Sequence, residues 1–206
     1  MTSLSSLLQV PPFVRIRAGQ IYSNDTLLFS APDLKGRDFT QAAYKQFDLQ
    51  YPRFYKMDPM SQLGMLAAHL LLSENEFSSD PYTRGLLLQN RHASLDSDER
   101  YQHSLKELAS PLLFVYTLPN IVMGEIAIRY SWKGENTCLV SETFDPAELL
   151  NYLSVLFQDN ILESVLTGFL DYYNHEADVL LFLINKKSHA LPSPERMLAC
   201  YEAVRS

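Results

Sequence analysis

The cysteine and histidine side chains are the first candidates for chemistry in this 206-residue chain, which has two of the former and five of the latter. Cys138 and Cys200 are too few for a disulfide framework. Neither has a CxxC partner or a histidine at ligand spacing, so no structural zinc site is expected. We expect two reduced, partly buried thiols. His69 lies in an apolar stretch and is expected to be a structural residue.

A hydroxyl nucleophile would need a histidine base within reach. The sequence offers Ser94, Ser141 and Thr143 as hydroxyl groups, and His92 or His103 as a conceivable base. No GxSxG motif surrounds any serine, and such residue types occur together by chance in a chain of this length. These patterns therefore predict no catalytic residue, no cofactor or cofactor-binding residue, and no metal ligand.

Composition narrows the class of protein. Hydrophobic residues make up 47% of the chain and charged residues 20%, which is enough apolar side chain for a sizeable core and excludes a disordered chain. Lys and Arg number 17 against 24 Asp and Glu, a net charge of −7, which is unfavourable for nucleic acid or an anionic membrane. Residues 1–10 lack the positive start of a signal peptide, and the longest apolar runs, such as 179–184, are too short to span a bilayer. We expect a soluble, cytoplasmic protein.

Period-two alternation and short apolar runs predict the strands. The first is 14–17, followed after a turn at Asn24-Asp25 by a short run at 26–30. The later strands are 85–90, 137–140, 164–170 and 178–184. The seven residues 171–177 are too few for a crossover helix, so the last two strands should be antiparallel.

Helical spacing and N-cap residues predict five helices. The first begins at Pro59 after the cap Asp58, and the second follows a cap at Ser97 or Asp98. The others span 119–128, 146–158 after the cap Asp145, and 194–204 after the cap Ser193. The aromatic-rich segment 39–55 is interpreted as an irregular lid packed on the core. The run 112–118 is too short and too bounded by proline for a helix of normal length. The order of elements predicts one α/β domain, residues 1–206, with a mixed sheet.

Several segments taken together resemble β-ketoacyl-acyl-carrier-protein synthases. They are FYKMD at 54–58, GLLLQNRHASL at 85–95 with Asp98 and Tyr101, VYTLPN at 115–120, GEIAI at 124–128 and KGEN at 133–136. They occur in the family's order and at similar spacing, and the resemblance covers roughly residues 14–184. It implies the N-terminal half of a thiolase-like fold: a five-stranded mixed sheet with helices on both faces and an antiparallel last strand.

The resemblance also places the family's nucleophile position at Thr143. In the family a cysteine follows the Gly-x-Asn turn by nine residues and begins a helix, whose dipole activates the thiolate. Counting from Gly134 reaches Thr143, and Phe, Asp and Pro follow instead of small residues. Cys138 is five residues too early and lies within a predicted strand. The family's two catalytic histidines come from its second half, and nothing places His175 or His189 near Thr143.

The resemblance leaves two functions open. The first is a non-condensing partner or regulator in fatty acid or polyketide-type biosynthesis, as in chain length factors that keep the fold and lose the cysteine. The second is acyltransferase or 3-oxoacyl-acyl-carrier-protein synthase activity, alone or completed by a second half. The implied partners are an acyl-carrier protein, a full-length ketosynthase or a second copy of the chain, paired through the strand at 137–140.

Overall fold

A computed structural model describes residues 10–73, 75–106, 108–186 and 191–203. Its strands are β1 Phe13–Arg17, β2 Gln20–Ser23, β3 Thr26–Ser30, β4 Arg84–Asn90, β5 Asn136–Val140, β6 Ser164–Tyr173 and β7 Glu176–Asn185. Its α-helices are α1 Gly36–Gln46, α2 Pro59–Leu72, α3 Leu95–Ser104, α4 Pro111–Val115, α5 Ile121–Tyr130, α6 Pro146–Gln158 and α7 Pro194–Glu202.

All seven strands join one mixed sheet in the order β3-β2-β1-β7-β6-β4-β5. The three strands β6, β4 and β5 are parallel to one another. The neighbours β6 and β7 are antiparallel, which confirms the prediction drawn from their short connection. Strand β5 lies at one end of this order and β3 at the other.

Two hydrophobic cores lie on opposite faces of this sheet. Helices α1, α2 and α5 contribute to the first core, and α6 and α7 contribute to the second. Strand β6 serves both, because Leu166 and Leu170 point into the first core and Val165 and Phe169 into the second. This is why the inner strands are apolar at nearly every position.

The sheet has seven strands, not the expected five. The additional pair is the hairpin β2–β3, which extends the sheet from β1. Strand β2 is only four residues long, and β3 is largely exposed. The short run predicted at 26–30 is confirmed as β3, whereas β2 is too short to show a hydrophobic pattern from which a strand could be predicted.

The aromatic segment 39–55 is more regular than an irregular lid. Helix α1 occupies its first part, and a 3-10 helix, Pro52–Lys56, occupies its end. Helix α1 escaped prediction because its N-cap residue, Lys35, makes no side-chain cap. Its buried face consists of Phe39, Thr40 and Ala43, which is a narrow stripe among polar residues.

Most predicted helix starts are confirmed, with two corrections. Helix α5 begins at Ile121, after the N-cap residue Asn120, and not at residue 119 as predicted. Asp58 and Asp145 cap α2 and α6 through their side chains. Helix α3 begins at Leu95 after Ser94, earlier than either predicted cap. Ser193 occupies the N-cap position of α7 without a side-chain cap bond. Residues 1–9, His189 and Val204 lie outside the described residues.

Helix α5 packs closely on α2, and the contact depends on Gly64 rather than on a glycine of α5. A Cβ atom at Gly64 would lie 2.4 Å from Val122 Cγ2 and 2.9 Å from Leu170 Cδ1. At Gly124, in contrast, a Cβ atom would meet nothing within 4 Å. No helix in the described part of the chain is long and apolar enough to cross a membrane.

Candidate functional site

A polar cavity of about 730 Å³ lies at the carboxyl ends of β4, β5 and β6. Loops at the carboxyl ends of parallel strands are the usual place for ligands in an α/β sheet. The loop after β4 contributes Arg91 and His92, and the loop after β5 contributes Glu142 and Thr143. The end of β6 contributes Asp171, and α7 contributes Tyr201.

Thr143 lies between β5 and α6, at the wall of this cavity. The hydroxyl of Ser141 donates to the carbonyl oxygen of Thr143 at 2.7 Å. The backbone N–H of Asp145 donates to Gln89 Oε1 at 2.9 Å, and the Asp145 side chain accepts from the N–H of Glu148 at 3.1 Å. The connection from β5 to the start of α6 is therefore held at both ends.

His92 and Asp171 form a hydrogen-bonded pair in the same cavity. His92 Nδ1 lies 2.7 Å from Asp171 Oδ2. Asp171 Oδ1 accepts from the backbone N–H groups of Arg91 at 3.1 Å and His92 at 2.9 Å. Because a carboxylate only accepts, Nδ1 carries a proton, and Nε2 is the acceptor in the neutral imidazole. The His92 ring also stacks on Tyr173, with centroids 4.8 Å apart.

Helix α7 closes the far side of the cavity through contacts with β1 and β7. Arg17 Nε donates to Asp178 Oδ1 at 2.7 Å, and Arg17 Nη1 donates to the carbonyl oxygen of Tyr201 at 2.7 Å. The Tyr201 hydroxyl donates to Asp178 Oδ2 at 2.6 Å. Burial and this carboxylate raise the pKa of Tyr201 above its usual range, so the phenol stays neutral.

The electrostatics of the cavity disfavour an anion. Five carboxylates line it, against a single guanidinium, that of Arg91. Asp171 and Asp178 are bound as described above, and the other three are Glu142, Glu176 and Glu202. A thiolate or other anionic nucleophile needs a positive environment, which these side chains do not supply.

Of the candidates from sequence, the structure brings together only His92 and Thr143, which line the same cavity. Ser94 donates to Asp98 Oδ2 and to the carbonyl oxygen of Thr117, and His103 contacts the carbonyl oxygen of Glu99. The side chains of Ser94 and His103 therefore make hydrogen bonds outside the cavity lining.

The two thiols are half-buried. Cys138 packs against the first core and Cys200 against the second. Burial raises the pKa of both thiols. His69 is half-buried on α2, 3.4 Å from the Tyr130 hydroxyl, and burial lowers its pKa.

Sequence reasoning missed Asp171 and Tyr173, which lie in the predicted connection 171–177. They instead lie at the end of β6, which extends beyond residue 170 to Tyr173. The only signal was the position of an acidic residue at a strand end, which is also typical of a hairpin. In the described ranges no three His, Cys, Asp or Glu side chains are arranged to hold a metal ion.

Comparison with known proteins identifies the fold. The sequence matches no protein-family profile and no curated protein. Among solved structures it is similar to the ishigamide ketosynthase/chain length factor, with 16% identity, a TM-score of 0.64, and coverage of 90% of this chain and 63% of that chain. The chain has the fold of ketosynthase and chain length factor proteins. At 63% coverage, this chain spans less than two thirds of the length of the ishigamide ketosynthase/chain length factor chain.

Two further structures have the same fold. One is the ketosynthase ApeO in complex with its chain length factor ApeC from Xenorhabdus doucetiae, with 12% identity, a TM-score of 0.57, and coverage of 96% of this chain and 93% of that chain. The other is AntDE:AntF, a type II polyketide synthase acyl-carrier protein in complex with its ketosynthase, with 12% identity, a TM-score of 0.50, and coverage of 86% and 63%. At these identities the likeness concerns the fold.

Proposed function

We propose that this chain is a non-condensing ketosynthase-like subunit that pairs with a full-length ketosynthase in carrier-protein-dependent polyketide-type biosynthesis. The observation that carries the proposal is the junction of β5 and α6. By the sequence resemblance this junction corresponds to the family's nucleophile position, and it presents Thr143 beside a wall rich in carboxylates. The three structures of similar fold are ketosynthase proteins solved with chain length factors or a carrier protein.

Loss of condensation follows from the chemistry of the junction. Decarboxylative condensation begins with attack of a thiolate on an acyl thioester, and a threonine hydroxyl is far less acidic than a thiol. Cys138 does not line the cavity, and burial raises the pKa of its thiol. No residue at this junction therefore provides a thiolate.

The purified chain should not condense malonyl- and acyl-carrier-protein substrates. We expect no 3-oxoacyl product by mass spectrometry, and the same result for the Thr143→Ala and Cys138→Ala variants. A known ketosynthase assayed with the same substrates is the positive control. Product that forms with the wild type and disappears in either variant would refute the non-condensing assignment.

Pairing through β5 is supported by the backbone of that strand. Its inner side is bonded to β4, since Leu86 N–H donates to Glu135 O at 2.8 Å and Ser141 N–H donates to Asn90 O at 2.8 Å. Backbone groups alternate along a strand, so the N–H groups of Asn136, Cys138 and Val140 face away from β4. No other strand of the described chain pairs with that side, and such an edge accepts another strand.

Apolar side chains surround the same region. Val140 on β5 is 62% exposed, and Val155 on α6 is also exposed. Helix α6 lies beside β5, since the Tyr152 hydroxyl is 3.4 Å from Thr137 Oγ1. Exposed apolar side chains beside an unpaired strand edge are typical of a protein-protein interface.

A proline at the outward-facing position of β5 tests the pairing. Val140→Pro removes an N–H that faces the partner and leaves the bonds to β4, whereas Val140→Ala keeps that N–H. Mixed with the ketosynthase encoded nearest to it, the wild type and Val140→Ala should sediment as a complex. Val140→Pro should bind at least about tenfold more weakly, because it removes a strand-strand bond. Equal binding by all three would exclude β5 as the interface, and no complex with the wild type would exclude the partner.

The pair His92–Asp171 favours one second candidate, transfer of an acyl group through Thr143. His92 would take the proton of Thr143 Oγ, the oxygen would attack the thioester carbonyl, and the carrier thiol would leave with a proton. Incubation with an acyl-carrier protein would then add an acyl mass to the chain, and Thr143→Val and His92→Gln would lose it. No added mass on the wild type would exclude this candidate.

A further inference from the structure

A second cavity, of about 500 Å³, lies on the other side of the β6–β7 turn from Thr143. It is bounded by the turn between β1 and β2, the start of α1, and the end of β6. Its size falls within the range of small-molecule sites, roughly 300–1,000 Å³. The fold and the proposed function use none of its polar groups.

The inner wall of this cavity is apolar. Phe39 on α1 and Leu63 on α2 are both buried members of the first core and form the floor. Pro32, Leu34 and Ala177 continue the apolar lining. A ligand that fills this part of the cavity therefore needs a hydrocarbon body.

Three side chains that can donate hydrogen bonds line this cavity: Tyr172, His175 and Lys35. Tyr172 is only 4% exposed, and among the described residues its hydroxyl has one hydrogen-bonding contact, His175 Nδ1, at a long 3.4 Å. Burial, together with the charges of Asp96 and Asp58, raises the pKa of Tyr172 to about 12, so the phenol keeps its proton. A buried phenol that lacks a good partner leaves its hydrogen-bonding capacity unused.

The backbone brings Lys35 and His175 close to Tyr172. Gly36 has a φ of +51°, and a Cβ atom there would lie 2.9 Å from the Tyr172 hydroxyl and 3.2 Å from His175 Nδ1. Asn174 and His175 form the two-residue turn between β6 and β7, with positive φ angles of 49° and 65°. Positive φ angles at both positions are the ordinary geometry of such a hairpin turn, which places His175 beside Tyr172.

We propose that this cavity binds a small monocarboxylate, with the carboxylate on the Tyr172 hydroxyl and the Lys35 ammonium and the hydrocarbon body on Phe39 and Leu63. Among the described residues, Glu176 is the only carboxylate that lines this cavity; it is exposed, as are Lys35 and His175, whereas Tyr172 is buried. A cationic head group offers these donors no acceptor, and a neutral hydroxyl oxygen accepts without the charge that strengthens its bond to the Lys35 ammonium. The proposal is independent of the pairing with a ketosynthase, and neither depends on the other.

Three probes with the same six-carbon body test the proposal: hexanoate, hexan-1-ol and hexylamine. In titration calorimetry or ligand-observed NMR at pH 7.5, hexanoate should bind the wild-type chain. The alcohol and the amine should bind at least about tenfold more weakly, because they lose charge-assisted bonds. Equal or tighter binding of hexylamine, or no binding of hexanoate at millimolar concentration, would overturn the proposal.

Three variants locate the binding. Tyr172→Phe keeps the ring in the core, and Lys35→Ala removes the ammonium, so each should weaken hexanoate binding at least about tenfold. Lys45→Ala, in the last turn of the same helix α1 and outside the cavity lining, is the matched control and should leave binding unchanged. Circular dichroism and thermal unfolding establish that the variants are folded. Loss of binding in Lys45→Ala, or unchanged binding in both other variants, would place hexanoate elsewhere.

Discussion

At the scale of single residues, buried carboxylates decide how the loops around the sheet are positioned. Asp58 is 4% exposed. One of its oxygens accepts from Ser61 N–H at 3.0 Å, and the other accepts from the Ser97 hydroxyl at 3.1 Å. Asp58 therefore caps α2 and also holds α3 against it. Burial raises its pKa above the usual value, because the ionised form is poorly solvated there.

Replacing Asp58 by asparagine should change how stability depends on pH. A carboxyl group with a raised pKa holds its proton in the folded state after the unfolded chain has released it, so its contribution to stability falls as the pH rises above 3.8. Asparagine caps a helix equally well and does not titrate in this range. The free energy of unfolding of the wild type relative to Asp58→Asn should therefore decrease from pH 4.5 to 7.5.

Urea unfolding of both proteins at several pH values measures that difference. A matched control is Asp145→Asn, which replaces a second N-cap, one for which the cap bond lies at the surface. Subtracting the Asp145→Asn profile leaves the part of the pH dependence that comes from the burial of Asp58. If the free energy of unfolding of the wild type increased relative to that of Asp58→Asn as the pH rises, the raised pKa would be contradicted.

At the scale of elements, the pairing of β6 with β7 requires a glycine at position 168. Gly168 has a φ of +142°, and a Cβ atom there would lie 2.1 Å from the carbonyl oxygen of Leu180. Gly168 is paired with Leu181 in the middle of the ladder. Neither strand can move away, because both contribute to the two cores.

Gly168→Ala should therefore destabilise the chain by about 2 kcal/mol or more, since it adds a clash and a strained backbone. Gly124→Ala is the matched control. Gly124 lies in α5 with no atom near a new Cβ, so this change should stabilise the chain by about 0.5–1 kcal/mol. Urea unfolding measures both, and a Gly168→Ala variant as stable as the wild type would show that β6 and β7 tolerate a shift.

At the scale of the whole molecule, one sheet is shared by two cores. Strand β7 alternates in the same way as β6, with Leu181 and Leu183 in the first core and Leu180 and Phe182 in the second. Both cores are built on β6 and β7. If one core unfolded, these strands would lose the packing on one face, and the other core depends on the same strands. The prediction that residues 1–206 form a single domain thus has a thermodynamic consequence.

Both faces should unfold together. Pulse-labelling hydrogen exchange with mass spectrometry, performed along a urea series, reports separately on α2 from the first core and α6 from the second. The two helices should lose protection at the same urea concentration, as in a cooperative transition. Separate midpoints would indicate two independently stable units and contradict the single-domain prediction.

The sequence by itself determined the elements whose signals are local. Asp58-Pro59 and Asp145-Pro146 predicted the starts of α2 and α6 because a cap and a first-turn proline act within one helical turn. The seven residues after 170 predicted antiparallel strands because a short connection permits no crossover. The ordered segments at 54–136 predicted a ketosynthase-like fold, which the structural comparison supports.

Only the tertiary structure decided the sites. Asp171 and His92 are 79 positions apart in the chain, and their 2.7 Å contact exists because β6 lies beside β4 in the sheet. Tyr172 faces a cavity only because the start of α1, itself without a sequence signal, packs against the β6–β7 turn. Contacts of this kind depend on strand order and on helix packing, and neither leaves a periodic pattern in the sequence.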